Sequence, residues 1–305
     1  MTKPRQFQVA SRCELLPYLT GLSLGLSRKE AKDLLRFRTV TVQGRATVRH
    51  DTELQPGDVV TIAARKQVSD GTLERHGLRI VHLDDAVVVI EKPPGLLSMG
   101  SEREKEKTAY RILHTHLKAL LKTPLQQVYI VHRLDRETSG LMMFARNESV
   151  QDTLQRNWKG VIKRYLAIVE GVPAEAQGTL RDRLVETKSL MVRTMVGRTV
   201  RGEEEAGELA ITHYRVLRAK GDRSLLELTL ETGRRNQIRV QLAALGHPVA
   251  GDRKYGAKTD PARRLALHAC ELKFRHPVSG LAMEFHSALP PRLKALIEGR
   301  APRQS

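Results

Sequence analysis

The feature that most constrains this chain is a continuous apolar, β-branched run, Ala86 to Ile90, halted by Pro93-Pro94-Gly95. A run without a polar break leaves no face for solvent, so it reads as the buried central strand of a sheet. Further strands are predicted at 127–132, 140–146, 163–170, 211–218, 224–231, 265–274 and 281–286. Helices are predicted near 107–121, 148–158 and 236–245, the last ended by Gly246. Strands outnumber helices and the connections are uneven. The pattern predicts an α+β domain, 77–298, around a large mixed, mainly antiparallel sheet.

Residues 12–66 read as a separate small module. Ser27 followed by Glu30 has the form of a capping box and opens a short amphipathic helix through Leu35. On it Arg28, Lys32 and Arg36 share one face, with Ala31, Leu34 and Leu35 on the other. Short strands follow at 40–42, at 47–49 after the Gln43-Gly44 turn, and at 59–62 after Pro56-Gly57-Asp58. The span 28–49 carries seven basic residues and two acidic ones. Such one-sidedness predicts a phosphate-facing ridge with Arg28, Lys32 and Arg36 as its contacts. Residues 67–76 are polar and aperiodic and read as a linker.

Charge names the class of partner. Lys and Arg number 52 against 34 Asp and Glu, a formal net charge of +18. A field of that sign points to polyphosphate, because each neutralised phosphate releases condensed counterions. Aromatic residues make up only 4%, which argues against an extended platform of stacked bases. The longest apolar stretch, Leu15 to Leu26, is interrupted by Pro17, Gly21 and Gly25 and is too short to span a bilayer. No leader pattern precedes it, so a cytoplasmic protein with no membrane partner, working as a monomer, is expected. Cys13 and Cys270 build no disulfide framework or zinc spacing and are expected to be small buried hydrophobes. His114 and His116 lack metal-ligand spacing, and no dinucleotide or P-loop fingerprint appears. No metal and no cofactor are expected.

The segment Val131-His132-Arg133-Leu134-Asp135-Arg136-Glu137-Thr138-Ser139-Gly140 places a carboxylate among arginines between two predicted strands. Held rigidly there beside a guanidinium, Asp135 would stay ionised, as a nucleophile must. Spacing alone equally allows a buried Asp–Arg pair that ties the loop. Tyr165 lies in an alternating strand with Ala167 and Val169 and could be core. Arg239 could be a surface helix residue beside the stripe Ile238, Leu242, Leu245.

These residues fall in a known pattern. His132 to Gly140 matches the hallmark His-Arg-Leu-Asp-x-x-Thr-Ser-Gly of the RluA-type pseudouridine synthases, and the match is complete. Lys163-Arg164-Tyr165-Leu166-Ala167 resembles the family's Lys-x-Tyr-x-Ala strand. Glu231-Thr232-Gly233-Arg234, Gln237-Ile238-Arg239, Gly246-His247-Pro248-Val249, Gly251-Asp252 and Tyr255-Gly256 resemble its long third motif. Leu267-His268-Ala269 and His276-Pro277 resemble its closing block. The likeness runs from about residue 78 to 291. The module at 12–66 resembles the S4 RNA-binding domain through Ser27-Arg28-Lys29-Glu30-Ala31, Val40-Thr41-Val42-Gln43-Gly44 and Gly57-Asp58-Val59-Val60, departing from it at Phe37, Arg38 and Gln43.

The resemblance implies the pseudouridine synthase fold and cofactor-free isomerisation of uridines in structured RNA. Ribosomal RNA of the large subunit is the first candidate and transfer RNA the second. It implies Asp135 as the nucleophile, attacking base or sugar, and Tyr165 stacked on the uracil and taking part in proton removal. Arg239 would pair with Asp135, and Arg133 would displace the target base, although a phosphate clamp would use the same side chain. Asn236 departs from the family, which usually has histidine there. That departure is the best support for a second possibility, a non-catalytic RNA-binding or ribosome-assembly factor on the same scaffold.

Overall fold

The computed structural model describes residues 5–22, 28–36, 40–47, 49–62, 71–100, 104–121, 127–187, 191–194 and 207–298. The chain divides into two compact units, Met1–Ser69 and Asp70–Ser305.

In the first unit, strand β1 (Arg5–Gln8) precedes β2 (Cys13–Glu14), helix α1 (Leu15–Gly21), helix α2 (Arg28–Arg36) and β3 (Val40–Val42). Strands β4 (Arg45–Ala46), β5 (Glu53–Leu54) and β6 (Val59–Ile62) complete it. The main sheet has the order β1-β6-β3-β4, all antiparallel, and β2 pairs with β5. Leu15, Leu19, Ala31, Leu35, Val40, Leu54 and Val60 form the core. Helix α1 escapes a sequence reading that takes Pro17 as a breaker, because proline is tolerated in a first helical turn. Strand β1 lies upstream of residue 12, where the module was expected to start; its Arg-Gln-Phe-Gln sequence has no apolar run to announce it.

In place of the strand expected at 47–49, the chain forms the two-residue strand β4 at 45–46. Gln43 and Gly44 both have positive φ, 49° and 75°, as a two-residue type I′ hairpin demands, so pairing resumes at once with Val42 opposite Arg45. The Gln43 amide donates to Asp58 at 3.0 Å, tying this turn to the next one. Ser27, and with it the expected capping box, lies outside the described residues.

The second unit opens with a one-turn helix, α3 (Thr72–Arg75), inside the segment read as linker. Its single buried anchor, Leu73, is too little for a periodicity to reveal. Strands β7 (Arg79–Leu83), β8 (Val87–Lys92), β9 (Tyr129–Ile130), β10 (Ser139–Ala145), β11 (Ile162–Glu170), β12 (Gln177–Glu186), β13 (Val192–Thr194), β14 (Glu208–Lys220), β15 (Arg223–Leu230), β16 (Leu267–Arg275) and β17 (Ala282–His286) form one eleven-stranded sheet. Its order is β13-β12-β14-β15-β11-β16-β10-β8-β7, with β17 on β16 and β9 on β10. Helices α4 (Ala109–Leu121), α5 (Glu148–Arg156), α6 (Gln237–Ala244) and α7 (Pro291–Glu298) accompany it.

The α+β class and the mixed, mainly antiparallel sheet expected from the sequence are what the chain forms. Among the described strands one pair, β10 with β16, is parallel. The strand expected at 127–132 shrinks to Tyr129–Ile130, since the rest of that segment feeds a loop. Strand β12 was not foreseen, because Arg181, Asp182 and Arg183 mask its alternation, and α7 was hidden behind Pro290-Pro291. Proline at the first helical position is favourable there. Cys13 and Cys270 are half-buried, less enclosed than expected. Both sides of the sheet centre are dry: Ala167, Val169, Leu226, Leu228 and Leu267 pack with α6 and α7 in one cluster, and Val87, Val89, Leu141, Met143 and Leu272 with α5 in another. No helix among the described residues is long and apolar enough to cross a membrane.

Candidate active site

Residues 131–138 form the loop that enters β10, and three separate devices hold it still. Gly140 lies where β10 meets β16 in parallel register; a Cβ there would stand 2.2 Å from the Ala269 carbonyl oxygen, and φ is +117°. Only glycine permits that approach. Ser98 Oγ, buried, donates to the Leu134 carbonyl at 2.6 Å and accepts from the Leu134 N–H at 3.0 Å. Lys92, fully buried, directs its amine at the carbonyls of Pro93, Leu96 and Arg136, at 2.8, 2.7 and 3.1 Å. All three ammonium donors are thereby satisfied. Burial pulls the Lys92 pKa down to about 7, against the opposing pull of Glu137 and Asp135. Lys92 and Ser98 did not stand out in the sequence; a lysine closing an apolar strand, just ahead of Pro-Pro-Gly, is the signal that could have found one of them.

A second brace runs beneath the loop. Ser139 Oγ shares a hydrogen bond with His268 Nδ1 at 2.9 Å and accepts from Arg264 Nη2 at 2.7 Å. His268 Nε2 meets Ser287 Oγ at 2.9 Å, and Ser287 donates in turn to Glu91. Burial lowers the His268 pKa to about 4, so the ring is neutral at ordinary pH. His132 is likewise structural: Nε2 accepts from the Met143 N–H at 3.0 Å, the ring packs 4.7 Å from Trp158, and burial with Lys163 nearby lowers its pKa to about 3.

Asp135 reaches the cleft from this braced loop with its side chain one-quarter exposed. The cleft is lined by Arg133, Asp135, Thr138, Tyr165, Leu230, Arg234, Asn236, Ile238, Arg239 and Leu267, and spans about 430 Å³ including the part open to solvent. Asp135, Tyr165 and Arg239, predicted from three distant segments, converge here, with Arg133 exposed at the rim. A wider groove beside Met99, Tyr110 and Tyr129 holds Lys105 as its one charged lining residue among those described, so size alone does not locate the chemistry.

Arg239 is buried near the start of α6. Its Nε and Nη2 donate to the two oxygens of Asp252, each at 2.7 Å, a bidentate fork. Nη1 donates to Asn236 Oδ1 at 3.1 Å and stands 3.6 Å from Asp135 Oδ2. That last contact is an ion pair, not a hydrogen bond, yet at such a distance two opposite charges still attract by about 4 kcal/mol near a protein surface. Burial alone would weaken the guanidinium's hold on its proton. The hydrogen bonds and charge of Asp252, joined by Asp135, outweigh it, and the Arg239 pKa is raised. Arg239 is therefore no surface helix residue.

Tyr165 lies on β11 opposite Leu228 and Ala269, directly after a register shift between Arg164 and Tyr165 that re-aims its side chain. Both readings of it meet: the ring packs against the core cluster holding Ala167 and Val169 while lining the cleft. Burial, and then the charge of Asp135, raise its pKa, so the phenol keeps its proton. Asn236 begins α6 in the left-handed region and caps no backbone amide, contrary to the usual part of an asparagine at a helix start.

On α2, Arg28 and Lys32 are exposed and Ala31 and Leu35 buried, as the helical spacing required. The Arg36 side chain lies outside the described residues. His114 stacks on Tyr110, and His116 is buried on α4. Glu271, Glu284 and His286 approach one another, but the Lys273 amine sits 3.2 and 2.9 Å from the two carboxylates and supplies the counter-charge.

Known proteins resemble this chain over most of its length. The family described as RNA pseudouridylate synthase matches residues 86–244. An uncharacterized RNA pseudouridine synthase of Bacillus subtilis, YlyB, is 34% identical over 286 residues, 92% of each chain. Ribosomal large subunit pseudouridine synthase D of Vibrio cholerae is 34% identical over 281 residues, 87% of this chain and 84% of that one. Human RNA pseudouridylate synthase domain containing 4 superposes with a TM-score of 0.61 at 24% identity, over 75% of this chain and 94% of that one, a likeness of fold.

Proposed function

The chain belongs to the RNA pseudouridylate synthase family and is an RNA pseudouridine synthase, and from that premise we propose which residues carry the reaction and on which RNA. The isomerisation breaks the N1–C1′ bond of a uridine and forms a C5–C1′ bond. C5 loses a proton and N1 gains one, with no net redox change. Asp135 is the nucleophile, attacking base or sugar. The observation that carries this assignment is the 3.6 Å approach of Arg239 Nη1 to the Asp135 carboxylate inside the cleft.

Tyr165 stacks on the extruded uracil between apolar walls such as Leu230, Ile238 and Leu267. Tyr165 also takes part in removing the C5 proton; burial and the Asp135 charge raise its pKa, so before the reaction its phenol is a hydrogen-bond donor. Arg133, exposed at the rim, fills the gap the target base leaves in the RNA stack. Extruding a nucleotide costs a few kcal/mol, and a planar cation replaces part of the lost stacking. Arg28, Lys32 and Arg36 contact phosphates from an S4-like RNA-binding domain in the first unit.

The substrate is large-subunit ribosomal RNA, modified in the cytoplasm by a monomer. The name of the Vibrio cholerae relative and the charge of +18 support that choice of RNA. The test is conversion of ribosomal and transfer RNA transcripts in vitro, followed by pseudouridine mapping. Conversion of the ribosomal transcript is expected, and Asp135→Asn should lower the rate by at least about 10⁴-fold. Normal turnover in the Asp135→Asn variant would sink the nucleophile assignment; a preference for transfer RNA would redirect the substrate.

A further inference from the structure

Asn236 is buried and its side chain is used in two directions. Oδ1 accepts from Arg239 Nη1 at 3.1 Å, and Nδ2 donates to the Tyr255 hydroxyl at 2.9 Å. The Tyr255 hydroxyl also accepts from the Val192 N–H at 3.4 Å, and its ring lies 5.0 Å from Arg239 Cζ. A left-handed backbone, φ 53°, lets the asparagine face both partners; asparagine tolerates that region better than most residues.

The donor count of a guanidinium gives this arrangement its meaning. Five N–H groups radiate in a fixed plane. The Asp252 carboxylate takes the Nε and Nη2 edge. Nη1 remains, and it is the nitrogen nearest Asp135. With one Nη1 hydrogen held by Asn236, the guanidinium cannot tilt without breaking that bond.

We infer that Asn236, itself held by the Tyr255 hydroxyl, is a positioning residue of the reaction that fixes the Nη1 edge of Arg239 toward Asp135. The inference rests on the reading of Asp135 and Arg239 as the reacting centre. It is distinct from a merely structural asparagine that steadies the turn before α6, which would influence stability and leave turnover per folded molecule alone.

The experiment measures kcat, KM, their pH profile and the Tm of the full-length enzyme on a structured RNA substrate. Asn236→Ala should lower kcat about 10- to 100-fold with KM within about twofold, the mark of a misplaced transition-state group. Tyr255→Phe keeps the ring over Arg239 and removes only the hydroxyl; it should lower kcat less. The double variant should be no worse than Asn236→Ala, because both changes cut one link. Asn236→His should recover most of the loss at pH 8, since a neutral imidazole also offers one acceptor and one donor. It should acquire an acid limb absent from the parent enzyme, because an imidazolium has no acceptor for Arg239.

Normal kcat in Asn236→Ala overturns the inference. So does a loss that follows Tm alone, multiplies with Tyr255→Phe and brings no acid limb in Asn236→His. Should Asn236→Ala fail to fold, Tyr255→Phe and Asn236→His still decide. The two readings fail separately: an active Asp135→Asn removes the reacting centre, whereas an inactive one beside a fully active Asn236→Ala removes only the role of Asn236.

Discussion

In the second unit Arg239 is buried with Asp252, Asn236 and Asp135 around its guanidinium, whereas in the first unit Arg28 and Lys32 stand exposed one helical turn apart. The same charge serves two ends. A buried guanidinium costs several kcal/mol to desolvate and must be met by partners in closely matched geometry, so it fixes positions. An exposed cation stays hydrated and its pairings are screened by salt, so it contributes affinity and little shape. On the function proposed above, a cleft that holds the reacting carboxylate suits the first kind, and a helix that meets RNA phosphates suits the second.

The comparison breaks most visibly at Asp252. Asp252→Asn keeps the size of the side chain but strips the fork of its charge, leaving Arg239 buried and under-compensated. We expect a loss of about 3–5 kcal/mol in urea unfolding, and a fall in kcat of about 100-fold for the fraction that stays folded. A loss below about 1 kcal/mol with normal turnover would mean that the buried arginine holds no geometry.

A smaller effect follows from the neutral histidine under the loop. The His268 pKa is about 4 in the folded protein, below the ordinary 6.5. Between those values the unfolded chain binds the proton and the folded one does not. The contribution is fully present above pH 6.5 and is lost as pH falls toward 4, about 3 kcal/mol in all. Unfolding midpoints at about pH 7 and about pH 4.5 should therefore converge in His268→Gln relative to the parent. Equal acid sensitivity in both would show that the ring is already charged.

The smallest effect, and the one that sharpens the contrast, belongs to the exposed face. Charge reversal at Arg28, Lys32 and Arg36 should weaken RNA binding and flatten its salt dependence, by about 0.7–0.9 in the log–log slope for each contact removed. Filter binding across a salt series measures it. An unchanged slope would remove the ridge from the RNA path.

Much of the second unit could be read from residues in order. The apolar run at 86–90 gave the central strand, whereas the close approach of two backbones at Gly140 came only from the fold. Strand β12 could not be read, because Arg181, Asp182 and Arg183 break its alternation, Asp182 standing on the inner side where it accepts from the buried Gln241 amide at 2.7 Å. The loop-holding contacts of Lys92 and Ser98 were not legible either: the place of Lys92 at the end of an apolar strand is a local signal of burial, but its three carbonyl partners are supplied only by the fold. Arg239 and Tyr165 were open between duller and sharper readings until the fold brought them to one cleft. The expected capping box at Ser27 and the third member of the basic ridge, Arg36, concern side chains outside the described residues.

Residue order alone therefore determined the strand-rich class, the motif that carries Asp135, the basic face of α2 and the family, because these depend on periodicity, charge and short-range spacing. Only the tertiary structure decided that Arg239 forks onto Asp252, that Asn236 turns away from capping toward Arg239 and Tyr255, and that burial and Asp135 raise the pKa of Tyr165. Each of those depends on which distant groups share a low-dielectric space, and burial and direction are properties of the packed chain.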